Sequence, residues 1–191
     1  MVKKRTSKLF HGLMALLLVV SVFLPALKVS TVVQAEELPA SSYTMKTVST
    51  INNNKLVDGA KYGEGKFYLQ PTYSFPNEVT LKDGDYMVYH VPNEFKIEKD
   101  SVTELKAPDG QTTIAELTTS RANNTATVKV TNAAYFANLS ENKEITALFT
   151  VVWADSVKLN TPYQIDIPGD KVYTLTRIVP DDDPTGFTKW G

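Results

Sequence analysis

Cysteine is missing from all 191 residues, which excludes disulfides, thiolate metal sites, a cysteine nucleophile and an internal thioester. Histidine is nearly missing too: of the 2 present, His90 is the only one beyond the N-terminal region. Hydrolytic and transfer enzymes usually need a proton shuttle near neutrality, most often His. His90 stands alone in the strand-like run Tyr86-Met87-Val88-Tyr89-His90-Val91-Pro92, and so reads as a packed or edge residue rather than a base or ligand. No Ser sits in a nucleophile elbow, no Gly-rich loop opens a helix, and no second His is at hand for a zinc pair. The chain is therefore expected not to be an enzyme, with no catalytic, cofactor-binding or metal-ligating residues. A glycosidase-type carboxylate pair stays open, because spacing along a sequence does not fix the separation such a pair requires.

A basic cluster is also lacking once the first residues are set aside. Lys3, Lys4, Arg5 and Lys8 precede an apolar run from Leu13 to Leu24, and Val33-Gln34-Ala35 supplies small residues where a signal peptidase cuts. The run is shorter than the roughly 20 apolar residues a membrane helix needs, and Pro25 and Lys28 stop it. Residues 1–35 are therefore expected to be a signal peptide, the mature chain to be exported, and no membrane span to remain in it. That segment holds five of the 20 Lys and Arg and none of the 21 Asp and Glu, so the mature chain carries 15 minus 21, a formal charge of minus 6. Binding to a phosphate backbone rests on Lys and Arg releasing condensed counterions, and nucleic acid is set aside as a partner. Without disulfides, the mature 156 residues from Glu36 to Gly191 depend on a hydrophobic core, which one domain of that size can bury.

What the chain has in quantity is period-two alternation. Phe67, Leu69, Tyr73 and Phe75 alternate with Tyr68, Gln70, Thr72 and Ser74, which predicts one buried face. In Thr125-Ala126-Thr127-Val128-Lys129-Val130-Thr131, Ala126, Val128 and Val130 point one way and the polar residues the other. Ile145, Ala147, Phe149, Val151 and Trp153 repeat the pattern; Leu148 and Val152 on the opposite face predict a central strand covered on both sides. Tyr163, Ile165 and Ile167 give a further strand.

Between the runs lie Asp58-Gly59, Asp83-Gly84-Asp85, Pro108-Asp109-Gly110 and Pro168-Gly169-Asp170, the punctuation of hairpins and sheet crossings. Short strands separated by such turns predict a sandwich or barrel. One short helix is expected, with Asn132 capping Ala133, Ala134, Tyr135 and Phe136. Residues 36–42 read as a flexible lead, 43–180 as the domain, and 181–191 as a linker or the start of a following domain, since Pro180, Asp181-Asp182-Asp183 and Pro184 break the strand pattern. The three aspartates lack the spaced ligands and turn glycine of a calcium loop and read as a solvated linker. Phe187 and Trp190 beyond them suggest the first module of a longer protein. Tyr62, Tyr68, Tyr73, Tyr86 and Tyr89 either build a recognition surface or simply populate a pleated, half-buried one.

Two stretches carry a resemblance. Val79-Thr80-Leu81-Lys82-Asp83-Gly84-Asp85-Tyr86-Met87-Val88-Tyr89-His90-Val91-Pro92 resembles a segment of immunoglobulin-like adhesin domains from Gram-positive surface proteins, in which a Gly-Asp turn enters a strand ending in Pro. Thr127-Val128-Lys129-Val130-Thr131-Asn132, then Tyr135, Asn142, Ile145 to Val152 and Asp155, is similar to the strand, short helical turn and strand that follow there. With Gly110 and Ile114-Ala115-Glu116, the likeness covers about residues 43 to 180.

The resemblance implies an all-β fold, a variant immunoglobulin-like antiparallel β-sandwich, at the bacterial cell surface or cell wall. It implies adhesion: tandem domains of collagen- and fibrinogen-binding adhesins trap a host or extracellular-matrix protein between neighbours, and a strand of the second domain latches onto the first. It places the latch-receiving strand at Thr127, Val128, Lys129, Val130, Thr131 and Asn132, although Asn132 stands where the family commonly has Asp and Lys143-Glu144 where a Gly is usual. Capture of this kind needs no catalytic residue, because an extended peptide adds to a sheet edge through main-chain bonds. The alternatives are a stalk or spacer module that binds nothing, and a carbohydrate-binding accessory module with coplanar exposed aromatics.

Overall fold

The structure is a computed structural model and describes residues 35–179. The expected signal peptide, Asp181-Asp182-Asp183 and the tail at Phe187 to Gly191 lie outside the described residues. Within them the alternating runs become strands with the burial that period two demands. In β4 (Phe67–Phe75) the residues Phe67, Leu69, Tyr73 and Phe75 are buried and their neighbours are not. In β9 (Thr125–Val130) it is Ala126, Val128 and Val130 that turn inward.

Among the described residues, thirteen strands form three sheets. The first has the order β2 (Asn54–Lys55), β1 (Thr44–Ile51), β4, β11 (Phe149–Trp153) and β6 (Phe95–Ile97), with β10 (Lys143–Thr146) also paired to β4. The second runs β5 (Tyr86–His90), β9, β8 (Thr113–Ser120), β7 (Ser101–Lys106). The third joins β12 (Pro162–Asp166), β13 (Val172–Arg177) and β3 (Lys61–Tyr62), the last pair being parallel. Tyr89 of β5 meets Phe149 of β11 edge-on with ring centroids 5.3 Å apart, so the first two sheets face each other over one hydrophobic core as in an immunoglobulin-like sandwich. The one α-helix among the described residues, α1 (Ala133–Ala137), starts as expected: the Asn132 side chain accepts from the Tyr135 amide at 3.1 Å.

The run from Ile145 to Trp153 departs from expectation. It is two strands rather than one because Pro71 of β4 has no N–H to give Ala147; the register runs on unbroken from Thr146 opposite Thr72 to Phe149 opposite Leu69, and the Ala147 amide still donates to the Pro71 carbonyl at 2.9 Å. Leu148, expected under a second covering layer, is 55% exposed, and Val152 is half-buried. Alternation is kept on the inner face and no layer covers the outer one.

The lead is paired as well. The Tyr86 amide donates to the Glu36 carbonyl at 3.0 Å and the Leu38 amide to the Tyr86 carbonyl at 2.8 Å, so residues 36–38 run along the start of β5. Pro39, which has no N–H, and the 3-10 turn Ala40–Ser42 end that pairing.

Candidate functional site

The strand that the resemblance assigns to a latch lies inside a sheet. Residues Thr127 to Val130 of β9 pair with β5 on one side, Met87 opposite Val128, and with β8 on the other, Leu117 opposite Val128. Both amides that follow, of Thr131 and Asn132, donate to the Ile114 carbonyl at 3.0 and 3.3 Å. An added strand needs unpaired main-chain groups, and this segment has no open side. Thr127, Val128, Lys129 and Val130 thus lie between two paired strands, Thr131 and Asn132 bond to Ile114, and Asn132 serves as the helix cap.

The tyrosines divide in the same manner. Tyr73 and Tyr89 are buried, and burial pushes both hydroxyls well above the ordinary tyrosine range. Tyr62, Tyr68 and Tyr86 are half-buried. Among the described residues no Tyr, Phe or Trp is exposed, so the stacking platform of a carbohydrate-binding module has no support in them. His90 is exposed at the end of β5, and no group of three or more His, Cys, Asp or Glu able to hold a metal ion occurs among the described residues.

Edges rather than side-chain chemistry distinguish the surface. On β6, Asn124 acts as a clamp: its side-chain oxygen accepts from the Ile97 amide at 2.9 Å, and its amide nitrogen donates to the carbonyls of Phe95 at 3.0 Å and Val91 at 3.3 Å. It reaches them from a left-handed backbone conformation, φ 51°, which Asn tolerates better than most residues. On β1, the Thr47 amide donates to the Gly169 carbonyl at 2.7 Å and the Thr47 hydroxyl to that of Pro168 at 2.6 Å. Gly169 sits at φ 76°, and a Cβ there would lie 2.9 Å from the Thr47 hydroxyl and 3.1 Å from the Met45 carbonyl, so both the backbone and the close approach require glycine. The lead covers the start of β5.

The opposite flank is not closed. Among the described residues, the main chain of β7 bonds only to β8. Beside it, between β7 and the chain from Leu148 to Thr150, lies a groove of about 200 Å³. Leu117, Phe149 and Leu148 supply its apolar lining, and Ser101, Thr103 and Thr119, with Glu98 and Lys99, the polar part. The outer face of β7 carries Val102, 65% exposed, and an ion pair of 2.6 Å between Lys106 and Glu104. Lys106 and the Thr113 hydroxyl, both bonded to Glu104, hold its carboxyl below the usual range.

The sequence contained a signal for this edge. The turn Pro108-Asp109-Gly110 implies a strand on each side of it, and Ser101–Lys106 is the one before. Period-two reading misses it because Val102 and Leu105 fall on opposite faces and the rest is polar.

Residues 62–162 match the model of a family described as bacterial Ig domain. No curated protein matches the sequence. Among solved structures, the chain is similar to the serine-rich repeat adhesion glycoprotein of Streptococcus agalactiae, with a TM-score of 0.51 and 13% identity over 72% of this chain. The likeness spans about half of that chain, 47%, and at this identity it is a likeness of fold.

Proposed function

The chain belongs to the bacterial Ig domain family, and on that basis we propose that it is an exported cell-surface adhesin domain that binds a host or extracellular-matrix polypeptide together with a following domain. The observation that carries the reading is the open flank: a free six-residue edge, β7, beside a partly apolar groove. Main-chain bonds to a sheet edge give affinity, and pockets for alternate side chains give specificity, so polypeptide capture fits this surface better than chemistry does. Export by cleavage after Ala35 and display at the cell wall belong to the same reading. A latch from a following domain would pair at an edge other than β9.

A second reading, a non-binding spacer, draws on the clamped edges at β1, β5 and β6 and on the Glu104–Lys106 pair, since charge and cover are how proteins blunt edges against association. Surface plasmon resonance on immobilised collagen, fibrinogen and fibronectin separates the two. Residues 36–191 are expected to bind one of them weakly, and the protein extended through the next domain to bind it with slower dissociation, where most affinity differences between related complexes arise. Absence of binding by both forms would favour the spacer.

A further inference from the structure

We propose that β7 is a strand-addition site for an antiparallel polypeptide segment of the pattern acidic–any–basic–apolar–apolar. The inference rests on the polypeptide-binding reading and specifies the site and the ligand's chemistry.

The edges decide the place. Asn124 closes β6, Gly169 and Leu56 close β1, and Glu36 and Leu38 cover the start of β5. Edge strand β12 begins at Pro162, which cannot donate. Of the edges that stay open among the described residues, the end of β5, the rest of β12 and β7, it is β7 that stands beside the groove, and its outer main-chain groups have no partner there. Antiparallel pairing is the more stable arrangement per residue.

The side chains decide the pattern. An added strand alternates its residues between the outer face and the groove. On the outer face it meets Lys106, Glu104 and Val102 in that order when it runs antiparallel, so an acidic, a basic and an apolar residue complement them in turn. Between the last two, the residue opposite Thr103 points into the groove, over Leu117 and Phe149 and beside Leu148. A cavity of about 200 Å³ has room for one side chain, and Leu117, Phe149 and Leu148 offer it an apolar contact inside a rim that includes Glu98 and Lys99. A partner of this charge order replaces the exposed Glu104–Lys106 pair that it breaks with two cross-strand pairs.

A capped peptide Thr-Glu-Thr-Lys-Leu-Val-Thr, titrated into the purified protein by calorimetry with hydrogen exchange on the complex, tests the proposal. The expected result is saturable binding with new protection of β7 amides, at least about fivefold weaker when Glu and Lys of the peptide are exchanged, and weaker again with Gly for Leu. Glu104→Lys should lose affinity for the first peptide and regain it for one with Glu in place of its Lys. Val102→Pro, which removes an outward-facing amide, should abolish binding, and Val102→Ala, which keeps that amide, should retain most of it. No binding, no protection of β7, or indifference to charge order and to Glu104→Lys would overturn the proposal. Matrix-protein binding that survives Val102→Pro would place adhesion elsewhere and sink this inference alone. Peptide binding without any matrix-protein binding would sink the adhesin reading and leave the site.

Discussion

The flank of the sandwich at β6 and the flank at β7 are built from the same kind of strand and finished in opposite ways. At β6 the edge is sealed: Asn124 supplies three hydrogen bonds to the main chain around Phe95 and Ile97. Behind it Phe67, Phe95 and Trp153 pack with ring centroids 4.7 to 5.2 Å apart. At β7 an edge of the main chain faces outward, every side chain but Leu105 is polar or exposed, and a groove reaches down to Leu117 and Phe149. Stability is concentrated where main-chain groups are satisfied and aromatic surface is buried; the open flank can be altered at little cost to folding, which is what a binding surface requires.

The largest expected effect lies on the sealed flank. Trp153 is 2% exposed, and its indole N–H donates to the Gly63 carbonyl at 3.1 Å. Trp153→Ala should cost about 3 to 5 kcal/mol, enough to unfold a domain of ordinary stability. A thermal melt unchanged within error would remove the contrast between the flanks.

Asn124→Ala should cost about 2 to 3 kcal/mol, from the stranded amide and carbonyls and the left-handed backbone. Asn124→Gly should recover only the backbone part, and urea denaturation of both variants measures the difference. Gly169→Ala should cost about 1 to 3 kcal/mol and speed hydrogen exchange at the Thr47 amide, a test of whether β1 is sealed as β6 is.

The alkaline limb gives a further reading of buried surface. Burial first, and then its hydrogen bond to Asp170, push the Tyr173 hydroxyl up from 10.0 to about 12. The folded state holds that proton more tightly than the unfolded chain does. Its contribution is therefore whole below pH 10.0, is lost as pH rises to about 12, and is absent above that. Unfolding midpoints measured across this window should fall, and less steeply in Tyr173→Phe. On the open flank the smallest effect is expected. Leu148→Ser should change stability by less than about 0.5 kcal/mol, and a larger loss would mean that this side chain is packed after all.

Much of the framework was legible beforehand for local reasons. The buried faces of β4 and β9 follow from period-two alternation, the start of α1 follows from Asn132, and the chain turns at Gly59, Gly84, Gly110 and Gly169, each with positive φ. The exposure of Leu148 was not legible, because an apolar residue on the outer face has the same sequence signature whether or not a layer covers it. Nor was the position of β9 inside its sheet, which left the expected latch strand without an open side. Asn124 carries no local signature of its role and gave no sign of the strand it clamps 27 residues away.

The sequence by itself determined which face of each strand is buried, where the chain turns, and that a hydrophobic core rather than disulfides holds the domain. These properties reside in side chains and in local backbone preference, which the residues carry with them. Which strands are interior and which edges stay open was decided only by tertiary structure. Every residue except proline offers the same amide and carbonyl, so a strand's hydrogen-bonding partners depend on what the rest of the chain brings alongside it.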